Sequence, residues 1–211
     1  MNGEYFTMKN EAWDMAVNAF KIESECISEY GKRLDKDAFC AAIKLLAGAE
    51  RIGTSGCGHS GIACRHFTHL LCCIERPSRF ISPAEAPHGA TGFLQKGDVM
   101  VFASRGGKTA ELIPIMDICK AKGVHIITIT ENLTSPLALG ADVVLYHYVN
   151  RETDKYNAQG TTSTTSLCVL FHALQAALIE ETGYLNEQFA LIHPHGAVGE
   201  RLNSKDADSH A

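Results

Sequence analysis
Three stretches of this chain gather glycine and hydroxyl residues at spacings suited to holding an anion: Gly56-Cys57-Gly58-His59-Ser60-Gly61, Ser104-Arg105-Gly106-Gly107-Lys108-Thr109, and Thr161-Thr162-Ser163-Thr164-Thr165-Ser166. Each leads into a segment of helical period: Ile62 to about Ile74, Ala110 to Gly123, and Leu167 to Glu181. A helix N-terminus offers unpaired backbone N–H groups and the positive end of a dipole, so a glycine or hydroxyl turn in front of it makes a phosphate cradle. Glycine turns are also ordinary punctuation, and one hydroxyl suffices for an N-cap. The unbroken run at 161–166 exceeds what capping needs. Ser60, Ser104, Thr109, Thr161, Thr162, Ser163 and Thr164 are the candidate anion ligands, with Thr109 as N-cap of the helix behind it.

The elements that must position these turns follow from hydrophobic period. Ala12, Met15, Ala16, Ala19, Phe20 and Ile22 recur at helical spacing, which predicts a helix over 10–27. Asp35 or Asp37 caps a second, running to Gly48, so the N-terminal region reads as a helical hairpin. Short apolar runs at 50–55, 77–82, 98–104, 124–130 and 142–146 predict five strands, and Ser135 caps a short helix between the last two. Pro83 and Pro87 make 83–89 a loop, since two prolines so close would break a spanning helix. A polar loop occupies 149–160; Gly183 turns the chain into a short helix at 186–192, and His193-Pro194-His195-Gly196 precedes a charged tail, 203–211, expected to be disordered. Strands alternating with helices predict an α/β fold, a three-layer αβα sandwich on a five-stranded parallel sheet. Ligands of such sheets bind beyond the carboxyl ends of the strands, where the glycine turns fall.

The 211 residues carry no linker or composition shift and predict one domain. A formal net charge of −5, with no dense Lys/Arg cluster, argues against a nucleic-acid surface. The apolar stretches read as strand-length and the N-terminus lacks a signal pattern, so no membrane partner and a cytoplasmic location are expected. Eight cysteines without a C-x-x-C pair read as reduced core residues. His66-x-x-His69 and His193-x-His195 have ligand-like spacing, but no four-ligand set is visible and no metal is expected.

GCGHSG after the first strand, SRGGKTAE after the third and TTSTT before the long helix occur in the order that resembles the sugar isomerase (SIS) domain. The segments at 83–89, PAEAPHG, and 189–199, FALIHPHGAVG, resemble its arabinose 5-phosphate isomerase branch. The resemblance runs over 41–202 and implies a flavodoxin-like fold, with 1–40 a helical segment of the same domain. Members of that branch commonly continue into a pair of CBS modules; this sequence stops at 211 and is expected to act as a stand-alone unit.

By position, the family's catalytic set falls on Glu111, Glu152 and His193. Three positions depart: the branch's first-turn lysine is His59, its second-turn serine is Gly106, and its second-turn glutamate is Lys108. Without the resemblance, Glu152 beside Arg151, Asp154 and Lys155 reads as solvated loop charge, Glu111 as a first-turn helix carboxylate, and His193 as a turn residue. The resemblance implies aldose–ketose isomerisation of a sugar phosphate through a cis-enediol, with no metal or organic cofactor. Glu152 is then the base, a carboxylate held partly away from water; His193 opens the sugar ring; His59 donates to phosphate or hydroxyl; His88 lines the sugar pocket. It also implies a homodimer or homotetramer in which His193 reaches a neighbour's site. Two alternatives stand beside this: a sugar-phosphate sensor without turnover, favoured by His59, and an SIS isomerase for another ketose phosphate such as 3-hexulose 6-phosphate, opposed by HPHGAVG.

Overall fold
The computed structural model describes residues 7–203. Two helices come first, α1 (Asn10–Lys32) and α2 (Lys36–Gly48); Asp35 opens α2 by accepting the Ala38 N–H at 2.9 Å. The chain then alternates through β1 (Ile52–Gly56), α3 (Gly58–Cys73), β2 (Ser78–Phe80), β3 (Val99–Ala103), α4 (Ile113–Lys122), β4 (His125–Thr130), α5 (Pro136–Leu139) and β5 (Val143–Tyr146), and ends in α6 (Thr162–Thr182), α7 (Asn186–Ile192) and α8 (Gly196–Asn203). All five strands are parallel in the order β2-β1-β3-β4-β5, with Ile52 opposite Val99, Val99 opposite His125 and Ile127 opposite Val143. This is the doubly wound order whose direction reverses between β1 and β3. The first two glycine turns flank that switch point.

Strands covered on both faces must be apolar on both, and β3 is buried at every position. Val99, Val101 and Ala103 pack with α2, α3 and α6, where Phe67 and Phe171 stack with centroids 4.3 Å apart. Met100 and Phe102 face the other way, toward Leu112, Ile115 and Met116 around α4. Tyr30 of α1 donates to the Tyr146 carbonyl at 2.7 Å and fixes the chain where it leaves β5.

Several sequence expectations are corrected. The helix after the second turn starts at Ile113, because Pro114 has no N–H and is tolerated only in a first turn. Thr109 is therefore not its cap, and Glu111 stands in the turn rather than in the helix. The loop at 83–89 holds a 3₁₀ turn, Ala86–His88, that accommodates Pro87, and a second follows at Ala90–Phe93. The hydroxyl run forms the first turn of α6 instead of preceding it, and α8 occupies the stretch expected to be loop and tail; 204–211 lie outside the described residues. Apolar stretches are not all strand-length: α6 is long and apolar enough to cross a membrane by length and composition, yet Leu167, Leu170, Phe171, Leu174 and Leu178 are buried in the core.

Candidate functional site
The turn after β3 is closed by its own hydroxyls. Gly107 N–H donates to Ser104 Oγ at 3.1 Å, and Ser104 Oγ shares a hydrogen with Thr109 Oγ1 at 2.8 Å. Gly107 has φ +64°, and a Cβ there would collide with the Ser135 side chain, so turn conformation and close packing on the cap of α5 both demand glycine. Gly106 and Lys108 are exposed beside it.

The loop after β5 delivers Glu152, whose side chain is only 3% exposed. Its Oε2 accepts Thr161 N–H at 2.9 Å, Ser163 N–H at 3.1 Å and Thr161 Oγ1 at 3.2 Å, while Oε1 accepts Arg105 Nη1 at 2.7 Å. The carboxylate thus caps α6 and reaches the second turn at once. The loop that carries it is internally bonded: Asn157 Oδ1 accepts Glu152 N–H at 2.6 Å, and Asp154 accepts three N–H groups. Those of Gln159, Ala158 and Tyr156 hold the Asp154 carboxyl below its usual range although it is at the surface. The reading of Glu152 as solvated charge is overturned.

His147, just past β5, carries no motif that marks it in the sequence; its position at the carboxyl end of a strand is the available signal. It is buried with Nε2 2.8 Å from Ser166 Oγ, and burial first, then the Arg105 charge, push its pKa down to about 4. The ring is neutral near pH 7. His59 of the first turn is exposed and packs on Gly160, where a Cβ would lie 2.9 Å from His59 Cδ2. The first turn therefore touches the residue preceding the hydroxyl run. Within that run Thr164 Oγ1 donates to Gly160 O at 2.6 Å, and Thr162 is fully buried, its Oγ1 without a hydrogen-bond partner among the described residues.

A cleft of about 420 Å³ opens beside the β1 end, lined by Cys57, Ile62, Arg65, Phe80, Ser82 and Glu111 among others. Arg65 lies 3.8 Å over the Phe80 ring, a cation–π contact that holds a positive charge in the same cleft as the Glu111 carboxylate. Burial and then the Glu111 charge raise the Cys57 thiol. Glu111 is exposed; Ser60 stands half-buried in the first turn of α3. His88 is exposed on its 3₁₀ turn and does not line this cleft, although Pro83 and Ala84 of the same loop do.

The structure does not bring His193 to these groups within one chain. The 21 residues of α6 rise about 1.5 Å each, so the helix carries the chain roughly 30 Å from Glu152 before α7 begins. There Tyr184 Oη donates to Cys73 O at 3.0 Å and Gln188 Nε2 to Glu75 Oε2 at 2.7 Å, docking this region on the far end of α3. His193 packs on Phe189 with its Nδ1 buried and without a hydrogen-bond partner among the described residues. His66 pairs with His172 across α3 and α6, Nε2 to Nε2 at 3.0 Å, rather than with His69.

The SIS domain model matches residues 45–177. The chain is 38% identical over 92% of its length to arabinose 5-phosphate isomerase KdsD of Pseudomonas aeruginosa and 34% identical over 88% to KpsF of Escherichia coli. It spans only 59% and 57% of those relatives' own lengths. A putative sugar-phosphate isomerase from Listeria monocytogenes superposes with a TM-score of 0.86 at 34% identity, covering 90% of this chain and all of that one. E. coli CFT073 c3406, solved in complex with arabinose 5-phosphate, superposes with a TM-score of 0.81 at 28% identity over 89% of this chain and all of its own. On the family match and on identity along nearly its whole length, the chain belongs to the SIS domain family.

Proposed function
We propose that this chain is an aldose–ketose isomerase of the arabinose 5-phosphate/ribulose 5-phosphate type, working through a cis-enediol. The observation that carries the reading is the junction at the carboxyl edge: a buried carboxylate clamped to the N-terminus of α6 and to Arg105 of the second glycine turn, beside a hydroxyl run whose preceding residue, Gly160, meets His59 of the first. The relatives named arabinose 5-phosphate isomerase, and the neighbour solved with that sugar phosphate, support the substrate class. The amides that open α3, with the side chains of Ser60, Ser104, Thr109, Thr161, Ser163 and Thr164, supply the phosphate ligands, while the Thr161 and Ser163 amides serve Glu152 and Thr162 backs the run from the core. Glu152 takes the carbon-bound proton through Oε1, which carries one donor against three on Oε2 and so keeps an acceptor position. Glu111, open in the cleft, and His59 orient the sugar hydroxyls. The proton transfer itself needs neither metal nor organic cofactor.

Ring opening by His193 then requires a second copy, since each chain holds its own His193 away from its own Glu152. Exposed apolar side chains support an assembly, a homodimer or homotetramer: Trp13, Val17 and Phe20 on α1, and Leu191 and Ile192 beside His193. A cytoplasmic location and the absence of nucleic-acid or membrane partners belong to the same reading, the former because the substrate is a phosphorylated metabolite. The test is interconversion of arabinose 5-phosphate and ribulose 5-phosphate by purified protein, followed by mixing Glu152→Gln with His193→Ala. Each variant alone is inactive, and mixed assemblies regain activity; no regain overturns the shared site. The alternative, a sensor without turnover, is favoured by His59 where the branch has lysine; ligand binding with no turnover of any pentose or hexose phosphate establishes it. Selective turnover of 3-hexulose 6-phosphate would name the other alternative.

A further inference from the structure
Arg105 joins two carboxylates delivered by two other strand ends. Its Nη1 donates to Glu152 Oε1 at 2.7 Å and its Nε to Glu131 Oε2 at 2.9 Å. Its carbonyl accepts Thr130 Oγ1 at 2.8 Å and Glu131 N–H at 3.0 Å, so backbone and side chain are both tied to the end of β4. The Glu152 side chain is 3% exposed, whereas those of Arg105 and Glu131 are each 38% exposed. A guanidinium is a planar fork; with one nitrogen on each acid it cannot turn toward either without losing the other. Glu152 Oε2 is already locked by the α6 amides, which leaves Oε1 as the oxygen whose direction Arg105 alone sets among the described residues.

We propose that Arg105 is a positioning residue that aims Glu152 Oε1 for proton transfer, with Glu131 holding Arg105 in register. The proposal rests on Glu152 being the base. Among the described residues, Arg151 Nε also donates to the Glu152 carbonyl at 3.2 Å, and His147 after β5 and Cys26 of α1 lie within electrostatic reach of the cluster.

The test is steady-state kinetics of arabinose 5-phosphate turnover for Arg105→Gln, Arg105→Lys and Glu131→Gln. Arg105→Gln lowers kcat by about 100-fold, the scale of a misplaced catalytic group, with little change in KM. Arg105→Lys does not restore the rate, since an ammonium cannot span both acids. Glu131→Gln gives a smaller loss of kcat. A folded Arg105→Gln with wild-type kcat overturns the proposal; if that variant does not fold, Arg105→Lys at wild-type rate does so. Wild-type protein that turns over no pentose phosphate overturns the function instead. The variants are then compared by the thermal shift that arabinose 5-phosphate induces, where an Arg105→Gln response equal to wild type is the expected result and a lost response overturns the positioning role by showing that Arg105 holds the ligand itself.

Discussion

Glu152 and Glu111 are the same side chain at the same edge of one sheet, yet their surroundings are opposite. Glu152 is sealed, its oxygens engaged by a guanidinium, two helix-end amides and a hydroxyl, while Glu111 is exposed in an open cleft. A sealed carboxylate contributes to the fold and to chemistry together; an open one is free to act on a ligand without holding anything else in place. The difference separates stability from activity, which substitutions can read independently.

The largest effect is expected from Glu152→Gln. Replacing a buried, hydrogen-bonded carboxylate by an amide that must aim an NH₂ at one of its donors costs about 2 kcal/mol of stability, and loss of a general base costs roughly 1,000-fold in kcat. Glu111→Gln is the counterpart: about 100-fold lower turnover with stability within about 0.5 kcal/mol of wild type. Chemical denaturation and initial rates on both proteins check the pair, and equal destabilisation by the two would erase the distinction drawn between them.

The sealed region should also answer to acid, through His147. His147 is held neutral, its folded pKa about 4 against 6.5 for the free side chain. The unfolded chain therefore binds more protons between those values, so this contribution is complete above pH 6.5 and lost as pH falls toward 4, amounting to up to about 3 kcal/mol. Urea midpoints of wild type and His147→Gln across that window test it; parallel curves would remove His147 as the cause. The smallest effect belongs to Thr109→Val, which breaks the 2.8 Å bond to Ser104 Oγ and costs about 1 kcal/mol. If Thr109 only closes the turn, thermal shifts with arabinose 5-phosphate stay at the wild-type size; if it also holds phosphate, they shrink.

Much of the fold is legible in the sequence because its cause is local. Val99, Val101 and Ile127 sit in apolar runs that a doubly covered strand requires, and Asp35 and Ser135 accept the N–H groups expected of N-caps. The start of α4 departs from expectation although its cause is also local: Pro114 excludes a helix interior and fits a first turn. The glycine turns and the hydroxyl run are readable as a set at one sheet edge. The state of Glu152 is not, since its neighbours in sequence are charged and its partners come from Arg105, 47 positions away, and from the amides that open α6.

By itself, then, the amino-acid order determined the alternation of strands and helices, the parallel sheet that alternation entails, and the residue types collected at the strand ends, because hydrophobic period and turn chemistry act over a few residues. Tertiary structure alone decided which carboxylate is sealed and which stays open, that Arg105 bridges Glu131 and Glu152, and that His193 stands at the opposite edge from the Glu152 of its own chain. Those outcomes depend on which loops the sheet order brings side by side and on how far a 21-residue helix carries the chain away, distances that no short stretch of sequence encodes.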